Sequence, residues 1–502
     1  MAARILVVPA QNMASHTKSM YPLLEELAKN GHEVTVLQLI KDDKEICKSK
    51  HKGVIDVILK PNASMQSMAL PKDIFWKSSL LSSIGGIFAW KMATEVCLAI
   101  LEDEKTLQEF HRIVDENWDM VAVDSIFSPC GIISVQRQLN NDRIRKPLIA
   151  DISTSLLLPG SVSHRGVPIS SCTYPGILAT SFSNTEFMQR ILLAFDNWHI
   201  RVIMEELAGL LIPHVWSRGH KHSHTFSNVR PQALLADADI AISSLSSMLD
   251  FPKAISESII ETDSNCPDEV SPLSEPYASF VDDPTSKGTI LFAMGHFTDW
   301  TYAPPGAVQA FIDSFARLSD YRIIWQFAQD ASKLNVTPNV LVEPWIPQMS
   351  ILYHPKTKLF ISHMGMKSMR EAICAKVPVA SMPMFAEQGR NTALAQFHRF
   401  AVYLNKLGLE PEYVHSRISE VLNDGRFAKS VSKLQEQLDD RIRNPLDLAV
   451  FKINFLIRRN SDRVLDNYVK IKGALMHWFK GTSFDTILTL AGVLFVIVEL
   501  VV

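Results

Sequence analysis

The sequence predicts an α/β protein built from two doubly wound, Rossmann-like domains that face each other across a cleft, with an apolar helix at the C-terminus. Three observations lead there. The chain has 502 residues, too many for one ordinary core, because single hydrophobic cores stop growing beyond about 250–300 residues. Apolar strand-like runs alternate with amphipathic helical stretches through both halves, the pattern of parallel sheets joined by helical crossovers. Between 249 and 287 the composition shifts to Pro, Ser, Asp and Glu, which separates the two series as a linker does.

The first series opens with Ile5-Leu-Val-Val-Pro9, a continuous apolar run that predicts a buried strand. Over 17–30, Met20, Leu23, Leu24, Leu27 and Ala28 recur at helical spacing, and Gly31 ends the helix. Glu33-Val-Thr-Val-Leu37 follows as a second strand, completing a βαβ unit. Met120-Val-Ala-Val-Asp124, Pro147-Leu-Ile-Ala-Asp151 and the run 236–243 are further strands of the same sheet. The second series contains Thr289-Ile-Leu-Phe-Ala-Met294, a helix over 307–318, and Arg322-Ile-Ile-Trp-Gln-Phe327. Strands at 340–342 and 359–362, a helix from Ser368 and a strand over 377–382 continue it. Asn444-Pro445 caps and opens a helix over 446–459. The domains are therefore expected at 1–250 and 288–440, with a linker at 251–287 and C-terminal helices over 441–480.

Composition narrows the function. A formal charge of -3 gives no basic field for wrapping nucleic acid, so a nucleic-acid partner is not expected. None of the six cysteines falls in a CxxC pair, which argues against a zinc ribbon or a thioredoxin-type site. The histidines His214, His220, His222 and His224 lack a carboxylate or cysteine spaced to complete a metal site. A solvated loop is the expectation there, and no metal. Asn62-Ala-Ser64 and Asn335-Val-Thr337 are glycosylation sequons. No signal peptide is visible ahead of the first strand, so the chain is expected to be cytosolic or to lack its leader here. From 484 to 502 run 19 mostly apolar residues, interrupted by Asp485 and Glu499. A bilayer span needs about 20 such residues; the segment is expected to be a membrane anchor, the alternative being a terminal helix packed on the core.

The chemistry concentrates between Trp345 and Gln388. The motif Phe360-Ile-Ser-His363-Met-Gly-Met-Lys-Ser368-Met-Arg-Glu371 places His363 at a strand end. Gly365 is expected to allow the tight turn into the next helix. Free N–H groups and the positive end of that helix suit a diphosphate, at about 0.3–2 kcal/mol per well-placed contact. Glu371, one turn in, is placed to accept both hydroxyls of a ribose, and Trp345 to stack on a base. No GxGxxG follows the strand at Ile5 or at Thr289, which argues against a dehydrogenase.

This segment, with Leu249-Asp-Phe-Pro252, Trp345-Ile-Pro-Gln348, the Glu387-Gln388 pair and Pro445-Leu-Asp-Leu-Ala-Val-Phe451, resembles the UDP-glycosyltransferases. The resemblance spans nearly the whole chain and is closest to the animal UDP-glucuronosyltransferase type. It implies the two-domain GT-B fold, no catalytic metal or cofactor, a UDP-sugar (glucuronate or glucose) as co-substrate and a small lipophilic acceptor. It also implies residence at the endoplasmic reticulum membrane, with lumenal catalytic domains and the C-terminal segment as anchor. Carried over residue by residue, Trp345 and Gln348 hold the uracil side, and His363 and Ser368 contact phosphate. Glu371 holds the ribose, and Glu387 and Gln388 bond the sugar. His16, after the first strand, stands where the family places its general base, and an imidazole's reference pKa of about 6.5 suits that task. Asp124 resembles the acid that orients it. The chain departs from the family at Met364 and Lys376, where glycine is usual, at Lys367 (asparagine) and at Glu387 (aspartate). Asp124 also stands one residue further from Cys130 than is usual. Two other readings therefore stay open, a non-catalytic UDP-sugar-binding homologue and a transferase acting on membrane lipids, as does assembly into a homo-oligomer.

Overall fold

A computed structural model describes residues 2–460, except 63–71, 78–84, 125–126, 142–145, 155–156, 199–208, 227–233, His296 and scattered positions within 158–184 and 235–268. Beyond Asn460 it describes only Thr489, Gly492 and Val493. The predicted anchor over 484–502 thus lies almost entirely outside the described residues, among which no helix is long and apolar enough to cross a membrane.

The chain forms two parallel sheets. The first contains β1 (Arg4–Val8), β2 (Glu33–Leu39), β3 (Val54–Leu59), β4 (Met120–Val123), β5 (Leu148–Ser153), β6 (Ile240–Ser243) and β7 (Ile259–Glu261). The second contains β8 (Gly288–Ala293), β9 (Tyr321–Gln326), β10 (Val340–Glu343), β11 (Thr357–Ser362), β12 (Val379–Ser381) and β13 (Ala401–Tyr403). Their orders are β3-β2-β1-β4-β5-β6-β7 and β10-β9-β8-β11-β12-β13. Each sheet starts in its middle, winds to one edge, then reverses, so each has a switch point: β1/β4 in the first and β8/β11 in the second. In open α/β sheets ligands bind beyond the strand ends at that point. His16 and Asp124 follow β1 and β4, and Gly295 and His363 follow β8 and β11. The winding alone therefore collects the candidate residues.

The first core follows the period of two expected of strands buried on both faces. Ile5 and Val7 pack with the helices Ala14–Lys29 and Pro445–Asn460, whereas Leu6 and Val8 pack with Gly85–Glu102 and Pro129–Asn140. The Pro445–Asn460 helix is thus part of the first domain's core, although it follows the second in sequence. Two further segments cross the other way. Phe75 and Trp76, on the turn Lys72–Trp76, enter the core of the second sheet. Phe75 stacks on Phe385 at 4.3 Å, and Lys406 Nζ donates to the carbonyls of Phe75 (2.6 Å) and Met384. Leu245, Leu249 and Phe251, between β6 and β7, enter the core on the other face of the second sheet. Burying each such side chain contributes on the order of 1.5–3 kcal/mol, so the two domains are fastened at three places.

Several elements differ from expectation for visible reasons. The stretch 251–287, expected as a linker, contributes β7 and the short helix Tyr277–Val281; a three-residue strand shows no period in sequence. The edge strands β3 and β13 were not anticipated either. The first helix starts at Ala14 instead of residue 17 because Glu45 Oε2 accepts the Ala14 N–H at 2.6 Å, a cap from 31 residues away. Cys97 bonds Cys130, and Cys266 bonds Cys374 across 108 residues. Among the described residues Cys47 is free and buried.

Candidate active site

On the first domain, His16 lies in the first turn of its helix, with Nδ1 3.1 Å from Asp124 Oδ2 and 2.8 Å from Thr154 Oγ1. A carboxylate can only accept, so Nδ1 carries the proton and Nε2 keeps the lone pair. Asp124 is almost fully buried at 2% exposure, and its Oδ1 accepts the Phe127 N–H at 3.2 Å, which fixes its orientation. The Phe127 ring meets the imidazole edge-on at 5.8 Å. Burial pulls the His16 pKa down, but the hydrogen bond and charge of Asp124, joined by the charge of Glu387, outweigh it and leave a net rise. Thr154 was not foreseen. The signal for it is topological: it directly follows β5, the neighbour of β4.

On the second domain, the helix Met366–Cys374 follows β11 through a turn made by Met364 at φ 64°. Gly365, expected to make that turn, is extended (φ -59°, ψ 150°) and serves a different need. A Cβ on it would lie 2.7 Å from His363 Nε2, and a Cβ on Gly295 would lie 2.9 Å from the same atom. The imidazole of His363 is therefore held between two glycines. Lys376 keeps a left-handed φ of 58°. Its N–H bonds the Ile373 carbonyl at 3.0 Å and that of Val377 bonds the Ala372 carbonyl at 2.9 Å, a Schellman ending that normally takes glycine. The backbone thus keeps the glycine-like shape at both positions, at roughly 1–2 kcal/mol each for an L-residue in that region.

Gln348 Nε2 donates to Glu371 Oε2 and approaches Ser368 Oγ at 3.4 Å, so three predicted side chains converge. Burial raises the Glu371 pKa, opposed by the Gln348 hydrogen bond and the charges of Lys367 and Arg370. Trp345 is 65% exposed and its backbone carbonyl accepts from Tyr277 Oη at 2.9 Å, while its neighbour Ile346 is buried. The indole is not core filler and presents a face for stacking.

Glu387 and Gln388 begin the helix Gln388–Phe397. Burial raises the Glu387 pKa, opposed by the backbone N–H groups of Glu387 itself and of Met366 and by the charge of His16. The charges of His16 and Glu387, one on each domain, act on one another. Gln388 Oε1 accepts from Met384 N (2.8 Å) and Phe385 N (3.1 Å), which leaves its amide NH2 to act as a donor. Elsewhere, His220 Nδ1 lies 2.6 Å from Glu102, and among the described residues no three ligand-type side chains gather to hold a metal ion. The side chains of the apolar stretch 80–88 lie outside the described residues.

The first domain thus offers an imidazole hydrogen-bonded to a buried carboxylate and a hydroxyl, and the second a helix N-terminus, the Gln348–Ser368–Glu371 cluster and an exposed indole. The family model described as "UDP-glucoronosyl and UDP-glucosyl transferase" matches residues 3–502. The chain is 24% identical to the UDP-glucuronosyltransferase 1A1 of Mus musculus, over 100% of this chain and 90% of that protein. It is 26% identical to the UDP-glucuronosyltransferase 2B9 of Macaca fascicularis, over 97% and 90%. Among solved structures, a UDP-glucose: anthocyanidin 3-O-glucosyltransferase in complex with UDP matches with TM-score 0.60 at 14% identity, covering 91% of this chain and 99% of that one. The spinosyn forosaminyltransferase SpnP matches with TM-score 0.58 at 14% identity, over 91% and 100%. At such identities these structures speak to the fold, which is GT-B.

Proposed function

The chain belongs to the family of UDP-glucuronosyl and UDP-glucosyl transferases and is a UDP-sugar-dependent glycosyltransferase; from that premise we propose inverting transfer to a hydroxyl of a small lipophilic acceptor. The observation that carries the reading is the His16 imidazole, oriented through Nδ1 by Asp124 and Thr154 at the switch point of the first sheet. Nε2 of His16 takes the proton of the acceptor hydroxyl as its oxygen attacks the anomeric carbon. The bond from that carbon to the diphosphate oxygen breaks, and the electron pair leaves with UDP. Attack opposite the leaving group inverts the anomeric configuration. The imidazolium is stabilised by the Asp124 carboxylate and returns its proton to solvent.

On the donor side, Trp345 stacks on the uracil with Gln348 beside it, and Glu371 accepts the ribose hydroxyls. The amides opening the Met366–Cys374 helix, with His363 and Ser368, receive the diphosphate and offset the charge that grows on it. Glu387, with the Gln388 amide, bonds the sugar hydroxyls. Preference for glucuronate or glucose is read with a panel of UDP-glucuronate, UDP-glucose and UDP-N-acetylglucosamine and a phenolic acceptor. UDP release that depends on the acceptor, with a product of inverted configuration by NMR, is the expected outcome. A retained configuration, or no acceptor-dependent release from any donor, counts against the reading.

The proposed setting is the lumenal side of the endoplasmic reticulum membrane, with the apolar segment 484–502 as anchor. Two disulfides suit an oxidising compartment, and the exposed Asn335 sits on a loop where a glycan can be added. Protein made in a secretory host is expected to carry an endoglycosidase-sensitive glycan on Asn335; an unmodified asparagine there argues for another location.

A further inference from the structure

The helix Gln388–Phe397 carries the sugar-side pair at its start and, one turn in, a fully buried arginine. Arg390 Nη2 donates to Asp250 Oδ1, and both side chains are 0% exposed. Asp250 belongs to the segment between β6 and β7 of the first sheet, so the ion pair joins the two domains. Phe251 lies against the guanidinium at 5.4 Å and against Phe397 at 5.2 Å. His398 Nε2 meets the Leu249 carbonyl at 3.0 Å, and Gln396 Nε2 donates to the Thr180 carbonyl at 2.6 Å. The first domain therefore grips this helix along its length.

The same helix is tied to the donor site. Asn391 Nδ2 donates to the Met364 carbonyl at 3.0 Å, on the turn after His363, and Gln388 Oε1 holds the Met384–Phe385 backbone. On the other side, the Asp250 segment leaves β6, which pairs with β5 through Ser243 and Ser153, next to Thr154 on His16. A path of contacts thus joins the His16 side to the start of this helix, through β5, β6, Asp250 and Arg390.

A buried ion pair is a poor source of stability, because desolvation offsets most of its attraction, and an apolar pair of similar volume is often as stable. What a planar guanidinium held by a carboxylate does supply is a fixed geometry. We propose that Arg390 and Asp250 are positioning residues that set the sugar-contacting start of this helix against the base on the opposite domain. The inference rests on the donor-site reading above. It adds that the pair governs the sugar subsite and turnover, not the nucleotide subsite at Trp345, Gln348 and Glu371.

The test compares UDP with a UDP-sugar. Arg390→Lys keeps the charge but loses the fork and its packing on Phe251. By calorimetry, its affinity for UDP is expected to equal that of the wild type, while kcat/KM for the UDP-sugar falls about 10–100-fold, the scale of a misplacement near 1 Å. Where Arg390→Lys fails to fold, the apolar pair Arg390→Met with Asp250→Leu decides. It is expected to melt near the wild type and bind UDP normally, with transfer still lost. Equal weakening of UDP and UDP-sugar means a merely structural role and overturns the proposal, as does wild-type turnover in either folded variant. Wild-type protein that binds no UDP removes the donor-site reading itself, and this proposal with it.

Discussion

Replacing His16 by alanine is expected to lower kcat by about 10²–10⁴-fold, the range for loss of a positioned general base, while UDP affinity stays unchanged. Both described hydrogen bonds of the imidazole fall on Nδ1, so the proposal assigns the work to Nε2, whose loss removes proton acceptance without touching the nucleotide wall. The pH dependence follows from the sign of the shift. A base works only when neutral, so kcat rises as pH climbs through the His16 pKa. That pKa is raised above the ordinary imidazole value, which places the acid limb above about 6.5. Asp124→Asn withdraws the hydrogen-bonded charge responsible for most of the rise, so the limb moves to lower pH even as the plateau drops. A pH–rate profile of wild type, His16→Ala and Asp124→Asn checks all three statements. An acid limb that stays in place in Asp124→Asn would assign it to another group.

Glu371→Ala is expected to weaken UDP binding by about 100-fold or more, since hydrogen bonds to a charged group contribute roughly 1.5–3 kcal/mol each and the carboxylate is proposed to accept two. The side chain is placed for it: Gln348 orients Oε2, Ser368 lies beside the same amide, and burial strengthens what the carboxylate accepts. A double-mutant cycle with 2′,3′-dideoxy-UDP isolates the contact. The ligand lacking both hydroxyls should bind wild type and variant alike. An equal loss for UDP and its dideoxy analogue would show that Glu371 supports the helix instead of the ribose.

How much of this was readable in the sequence depended on the range of the interaction concerned. Strands buried on both faces, such as β1, β8 and β11, announce themselves as apolar runs. Their winding order then brings His16 to Asp124 and Gly295 to His363. The same rule would have pointed to Thr154, had β5 been recognised as the neighbour of β4. What stayed hidden was set by distant partners. Glu45 extends the first helix backward to Ala14, which puts His16 in a helical turn. The disulfide pairs and the Arg390–Asp250 bridge join residues that only the fold brings together. Gly365 was legible as necessary but for another reason: Met364 makes the turn, and Gly365 makes room for the His363 ring. The substitutions at Met364 and Lys376 put turnover in doubt in sequence; in the fold both residues take up left-handed conformations, so the turn after β11 and the end of the following helix have a glycine-like backbone without glycine.

Everything proposed for the donor depends on one nucleotide lying along the wall formed by Trp345, Gln348, Ser368 and Glu371. A crystal structure with UDP bound is the shortest route to it. Uracil stacked on the Trp345 ring, both ribose hydroxyls on Glu371 and the diphosphate on the amides at Met366–Ser368 are the expected result. UDP seated elsewhere, or bound with its ribose hydroxyls away from Glu371, would contradict it.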